Sequence, residues 1–292
     1  PFWQALAQSS ISVLRDYLVV ILSGDVTPPI PPQFQETKKR RQWLPFVRKW
    51  KGSARMNNRP MVVVQCWDDG VVTDVRLIDI FRRHGAKATF NLNAGLHEKH
   101  RQLGWIYEGR EVGRLGWDEM KEVYQGFVIA NHSLTHPHLE QLEREVARRE
   151  IAEGREKLQQ FFGQRVLGFA YPFGTYSEEI MQLVRETGHV YARTTANVDF
   201  PFPPENAMLF HPCCHFLAPD LWSRYERAKA SGVFYFWGHS YEMITDSMWR
   251  EFEEIIKRIS ADPDSCWGDV ADLFDDEMCN AVTPNKPHAS GG

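Results

Sequence analysis

A parallel α/β sheet or barrel is predicted from Met61 onward, because strand-like runs and helix-like runs alternate there with short connections. Three observations carry the prediction. Met61-Val62-Val63-Val64 is apolar and β-branched without alternation, as expected of a strand covered on both faces. Two groups of chemistry-bearing residues, Asp68-Asp69-Gly70 and His132-Ser133-Leu134-Thr135-His136, follow directly behind such runs. The chain's 292 residues, 43% of them hydrophobic, suffice to bury the core of one such domain.

The elements can be justified in order. After the first strand, Val75, Leu77, Ile78 and Phe81 give a helical spacing over Thr73 to His84, closed by Gly85 as C-cap. Lys87 to Leu92 is the second strand. Asn93 to Leu115 is less regular, and Trp117 to Tyr124 is a short helix. Phe127 to Ala130 is a strand delivering Asn131 and His132. Gln141 to Phe162 is a long amphipathic helix whose charges of both signs suit a solvated face. Val166 to Tyr171 is a strand ending at Pro172-Phe173-Gly174, and Ser177 caps a helix running through Gly188. His189 to Thr194, Met208 to His211 and Val233 to Trp237 read as short strands, with helices at Asp220 to Ala230 and Asp246 to Ile259. No internal repeat is seen.

Composition excludes some functions. A formal charge of -4 gives no basic field, so nucleic acid is not an expected partner. The five cysteines contain no Cys-x-x-Cys pair, and reduced, packed thiols are expected. Ile11 to Leu22 carries Arg15 and Asp16 and is too short and charged for a membrane span. No signal peptide is recognisable, which favours a cytoplasmic location. Thr27 to Pro32 is an extended proline-rich linker, and Lys38 to Arg41 is a short basic run on a solvated face. The first Met is Met56, so residues 1–55 are expected to be an extension preceding the natural start. The expected organisation is this extension, a catalytic domain over 56–282 and a flexible tail over 283–292. Nothing in the sequence indicates an oligomeric state.

The chemistry starts from two carboxylates and two imidazoles. His132 and His136 are four apart behind a strand, so one irregular turn brings both rings to one side. Two neutral imidazoles and one carboxylate make a three-ligand metal site with an open position, the pattern of a catalytic rather than a structural metal. Zinc suits these donors best, with cobalt, nickel and iron as other divalent candidates. One aspartate would bind the metal while its neighbour takes a proton.

Asp68-Asp69-Gly70, His132-Ser133-x-x-His136, Tyr171-Pro172-Phe173-Gly174 and Trp237-Gly238-His239, in this order, resemble the successive motifs of the polysaccharide deacetylase family, also called the NodB-homology family or carbohydrate esterase family 4. The resemblance covers Met61 to Ile259. It implies a distorted (β/α) barrel of the TIM-like kind, with one divalent metal, removing acetyl groups from N-acetylated or O-acetylated carbohydrate. By that resemblance Asp69, His132 and His136 are the metal ligands and Asp68 the general base. His239 is then the general acid, and the Phe173 N–H joins the metal in stabilising the oxyanion. His239 must be protonated when the leaving group departs, which a carboxylate would favour. Glu242 is near enough in sequence, although an exposed helix-start acid is its plainer reading.

The departures from the family pattern are specific. Where many relatives have an arginine that orients the catalytic aspartate, this chain has Ala170. Arg193, at the end of the next strand, is the candidate for a relocated guanidinium. No Asp-x-x-Asp-Trp motif is present, since Asp199 lacks the following Trp. His211-Pro212-Cys213-Cys214-His215 stays outside the motifs and is read as pocket wall, with His211 or His215 touching substrate. Tyr171 and Trp237 are the aromatic candidates for stacking on a sugar ring. The alternatives are a hydrolase of a small non-sugar amide on the same barrel, and a catalytically inactive carbohydrate-binding module.

Overall fold

A computed structural model describes residues 60–199 and 201–274. The expectations about 1–55, the start at Met56, Cys279 and the tail over 283–292 lie outside the described residues. The strands are β1 (Met61–Asp68), β2 (Thr89–Leu92), β3 (Gln102–Tyr107), β4 (Arg110–Arg114), β5 (Val128–Asn131), β6 (Gly168–Ala170), β7 (Tyr191–Arg193), β8 (Cys214–His215), β9 (Val233–Gly238) and β10 (Ser265–Trp267). The α-helices are α1 (Asp74–His84), α2 (Trp117–Val123), α3 (Arg144–Phe162), α4 (Glu178–Glu186), α5 (Leu221–Ala228) and α6 (Asp246–Ala261).

The main sheet runs in the order β7-β6-β5-β2-β1-β9-β8, with β10 beside the first half of β1. Every ladder in it is parallel. The sheet curls into an incomplete barrel of the predicted class. β1 is central because both its faces are covered: Val63, Val64, Cys66 and Trp67 are all buried. Trp67 packs edge-on against Phe252 of α6 at 5.2 Å and tilts against Phe216 at 5.1 Å. Each such buried large side chain contributes roughly 1.5–3 kcal/mol of transfer free energy. A second core cluster, with Phe169, Ile151, Ile180 and Leu183, lies under β6 and α4.

Two devices fix the strand exits. α1 buries Leu77, Ile78, Ile80 and Phe81 and stops at Gly85, whose φ of 65° lets its N–H bond the Phe81 carbonyl. α3 presses on the loop after β5. A Cβ at Gly154 would stand 2.7 Å from Asn131 Oδ1, so the helix can approach that loop only with glycine there.

Some elements differ from expectation. Asn93 to Leu115 contains an antiparallel hairpin, β3 and β4, turning at Glu108 and Gly109 with both φ positive. Met208 to His211 is not a strand. Ala207–Leu209 form a 3₁₀ turn because Asn206 Oδ1 accepts the Met208 N–H at 2.9 Å, leaving Phe210 a single bridge to Arg193. The helix expected from Gln141 is a 3₁₀ turn at Leu139–Gln141 followed by α3. Its acidic face is not wholly solvated, since Glu150 accepts the Thr135 N–H at 2.8 Å and the Thr135 hydroxyl at 2.7 Å. Among the described residues, no helix is long and apolar enough to cross a membrane.

Candidate active site

The expected site residues converge at the C-terminal edge of the parallel sheet, where loops leaving the strands meet. Asp68 is the last residue of β1 and is buried. Asn91, its register partner in β2, donates from Nδ2 to Asp68 Oδ1 at 2.7 Å. Arg193 Nη2 donates to Asp68 Oδ2, and the guanidinium is itself buried, with its Cζ 4.7 Å from the centre of the Trp237 ring. Burial alone would raise the Asp68 carboxyl, but Arg193, then His132, His239 and Asn91, outweigh it and hold it well below the usual carboxylate range. Ala170 stands directly opposite Arg193 in the β6–β7 ladder. The guanidinium therefore comes from one strand further along the sheet, at the same level.

Asp69 leaves β1 through a φ of 81°, which separates its side chain from that of Asp68. Its N–H bonds the Asn91 carbonyl at 3.0 Å, and its carbonyl accepts Arg114 Nη1 at 3.0 Å. Ser133, His136 and Phe173 also have positive φ, so four of the five non-glycine residues of this kind among those described lie at this mouth. Backbone held in this region costs on the order of 1–3 kcal/mol per residue and persists where surrounding structure enforces it.

His132 donates from Nδ1 to the Ala170 carbonyl at 2.8 Å, which leaves Nε2 unprotonated and facing the carboxylates, 3.9 Å from Asp69 Oδ1. Burial pushes both His132 and His136 down to about 4, so both rings are neutral at pH 7. One ligand atom each from Asp69, His132 and His136 lies within 4.8 Å of the others. This donor set fits a divalent ion with a free coordination position. The loop carrying His132 and His136 is set by Ser133 Oγ, which accepts the His136 N–H at 2.9 Å, and by the Leu134 N–H bonding the Glu150 carbonyl.

His239 follows β9, with Nε2 3.8 Å from Asp68 Oδ2 and 4.0 Å from Asp69 Oδ2. Burial opposes its charged form, but Glu242, with Asp69 and Asp68, overrides this and pushes the ring up to about 9. Glu242 is not the exposed helix-start acid that its position suggested. It is 16% exposed, lies between His239 and His215, and is held well below the usual carboxylate range by His239 and His215 against the opposing effect of burial.

Other expected residues divide. Tyr171 is corrected: it is buried, and its hydroxyl donates to the Met208 carbonyl at 3.0 Å, so it is core rather than a sugar platform. The residue after β6 points inward because alternation along the strand sends it to the packed face. Trp237 is half-buried against the Arg193 guanidinium, so one face is already taken. His211 is half-buried, hydrogen-bonded to the Thr194 hydroxyl, and lowered by burial. Phe173 is 53% exposed, with its ring stacked on His138 at 3.9 Å, and its N–H meets no acceptor among the described residues. Cys213 and Cys214 are buried and burial raises both thiols, Cys213 to about 11, which leaves them inert.

Asn91, Arg114 and His215 were not singled out as catalytic, ligating or positioning groups from sequence. Asn91 lay within the second predicted strand, but its pairing with Asp68 depends on the β1–β2 register. A groove of about 980 Å³ opens beside the mouth, lined by Leu103, Tyr107, Arg110, Arg76, Tyr241 and Trp249 among others. Tyr241 joins it to the site, with its ring 5.0 Å from that of His239.

Fold and site together define a curled parallel α/β barrel with an Asp-His-His group that could hold a metal beside an Asp–Arg pair. The sequence model of the family described as polysaccharide deacetylase matches residues 55–192. It is 26% identical over 136 residues to a Bacillus subtilis (strain 168) protein named "Putative polysaccharide deacetylase YxkH". That alignment covers 46% of this chain and 44% of the relative, so the chain spans less than half of that protein's length. Among solved structures, the Xyl-CE4 domain of a multidomain xylanase from the hindgut metagenome of Trinervitermes trinervoides superposes with a TM-score of 0.50 at 17% identity, covering 78% of this chain and 95% of that one. A family 4 carbohydrate esterase from Streptomyces lividans, in complex with acetate, gives a TM-score of 0.47 at 15% identity, covering 71% and 92%. The first of these likenesses supports the fold.

Proposed function

We propose that this chain is a metal-dependent hydrolase that removes acetyl groups from N-acetylated or O-acetylated carbohydrate. The observation that carries the reading is the convergence of a buried, arginine-held Asp68 and a glutamate-backed His239 on the Asp69-His132-His136 set. A divalent ion held by those three, most simply zinc, supplies Lewis-acid polarisation of the acyl oxygen and acidifies water towards neutral pH. Asp68 accepts a proton from the attacking water, and Arg193 with Asn91 keeps its carboxylate ionised and aimed. The Phe173 N–H donates to the oxyanion that forms on the acyl carbon. His239 Nε2 then protonates the departing nitrogen or oxygen while Glu242 balances the imidazolium charge. The groove beside Tyr241 supports a carbohydrate partner, because Tyr107 and Tyr241 offer aromatic surface among polar groups. Oligosaccharides of several lengths, N- and O-acetylated, test the reading when scored by released acetate with and without a chelator. Acetate release that is lost on chelation and restored by zinc is expected. Bound metal with no acetate from any sugar would overturn it in favour of another amide, and neither metal nor acetate would favour a binding module.

A further inference from the structure

The segment His211 to His215 takes no part in the chemistry above, yet its last residue reaches it. We propose that His215 is a positioning residue for His239, acting through Glu242; this rests on the deacetylase reading. His215 stands opposite Trp237 in the β8–β9 ladder, two residues before His239. Its Nε2 lies 2.9 Å from Glu242 Oε2, and the Leu217 N–H donates to its Nδ1 at 3.3 Å. A ring nitrogen that accepts a hydrogen bond carries no proton, which puts the His215 ring proton on Nε2, facing Glu242 Oε2 across the 2.9 Å contact.

The same Glu242 oxygen accepts the His239 backbone N–H at 3.0 Å and lies 3.3 Å from His239 Nδ1. That last contact is an ion pair without well-directed hydrogen-bond geometry, and His239 Nδ1 is buried with no other partner among the described residues. Among the described residues Glu242 is thus the one side chain paired with the outer nitrogen of His239, and the His215 contact keeps Glu242 turned inward. The ring of His215 is itself held edge-on to Trp237 at 4.8 Å and against Phe216 at 4.8 Å. His215, His239 and Glu242 are also close enough to suggest a second metal cage. A proton on Nε2 argues for a proton-bearing bracket instead, because zinc needs an unprotonated nitrogen.

The test uses the full chain with zinc, comparing His215→Leu and His215→Gln on two probes, an N-acetylglucosamine tetramer and 4-nitrophenyl acetate. Nitrophenolate leaves without being protonated, so a defect in holding the acid is silent on that ester. On the tetramer, His215→Leu is expected to lower kcat roughly 10–100-fold, as losses of supporting hydrogen bonds do, with KM little changed. His215→Gln, which retains a donor near Nε2, recovers most of the loss, and the ester is cleaved equally by all three proteins. Equal losses on both probes, or none on the tetramer, would overturn the proposal. If the tetramer is not turned over at all, the deacetylase reading fails separately, and ¹⁵N spectra of the histidine rings decide the positioning. They should show His215 protonated on Nε2 alone, with His239 ring signals that move in His215→Leu. An unmoved His239, or a second bound zinc lost in His215→Leu, overturns it.

Discussion

Arg193 and Asp68 are a buried ion pair, and removing one member of such a pair leaves an unbalanced charge in a low dielectric. Arg193→Ala should cost roughly 3–5 kcal/mol of stability, because burial then acts on Asp68 with its largest stabilising partner gone. Arg193→Lys keeps the charge but loses the planar fork over Trp237. It should fold with a smaller loss in Tm while kcat falls with KM nearly unchanged. Thermal melts and steady-state kinetics on whichever sugar releases acetate check both, and full activity in Arg193→Ala would remove Arg193 from the mechanism. That Asp68, Asp69, His132 and His136 meet at strand ends was legible in the sequence, because each sits at or just behind a strand that its own neighbours specify. Arg193 was only a candidate, since its strand and end were legible but not that its side chain crosses the sheet to β1. Tyr171 was misassigned for a related reason: one residue along a strand reverses the face, and the end of a three-residue strand is hard to locate by pattern.

At the scale of elements, the His132–His136 loop after β5 is set less by its own sequence than by α3 lying against it. Gly154 to Ala would gain about 1 kcal/mol in helix propensity, but the new Cβ would meet Asn131 Oδ1 and the Ser133 carbonyl carbon, the latter at 3.0 Å. Asn131 cannot yield easily, being bonded through Nδ2 to the Ile151 carbonyl at 2.8 Å. Overpacking of this kind typically costs 1–3 kcal/mol, so Gly154→Ala should lower Tm and weaken zinc binding measured by titration against a chelating indicator. A rise in Tm with unchanged zinc affinity would show that the loop does not depend on this approach. The β3–β4 hairpin was missed because its strands are exposed or half-exposed at all but Val112 and carry no continuous buried run. Glu108-Gly109 was the available signal, a two-residue turn with both φ positive, as tight hairpins need.

For the whole molecule, Asp74 under the site sets part of the pH dependence of stability. Burial pushes its carboxyl up to about 7, although Ser240 and the Tyr124 hydroxyl, at 2.7 Å, bond to it. An acid whose folded pKa lies above its unfolded value stabilises the fold most when protonated. That contribution is complete below the unfolded value near 4 and is lost as pH rises through about 7. Asp74→Asn should therefore keep a flatter Tm between pH 4 and 7.5 than the parent, each kcal/mol corresponding to roughly 2–4 °C for a domain of this size. Parallel Tm profiles for the two proteins would show that Asp74 titrates normally in the fold.

By itself the sequence determined the parallel α/β class, the order of the main elements, and the strand ends that carry two carboxylates and three histidines. These follow from local pattern, since periodicity and turn residues act over a few neighbours. Tertiary structure alone decided that Arg193 meets Asp68 opposite Ala170, that Asn91 shares that carboxylate, and that Glu242 is enclosed between His215 and His239. Each of these depends on register between strands distant in sequence, and on burial, which turns ordinary surface charges into strongly interacting pairs.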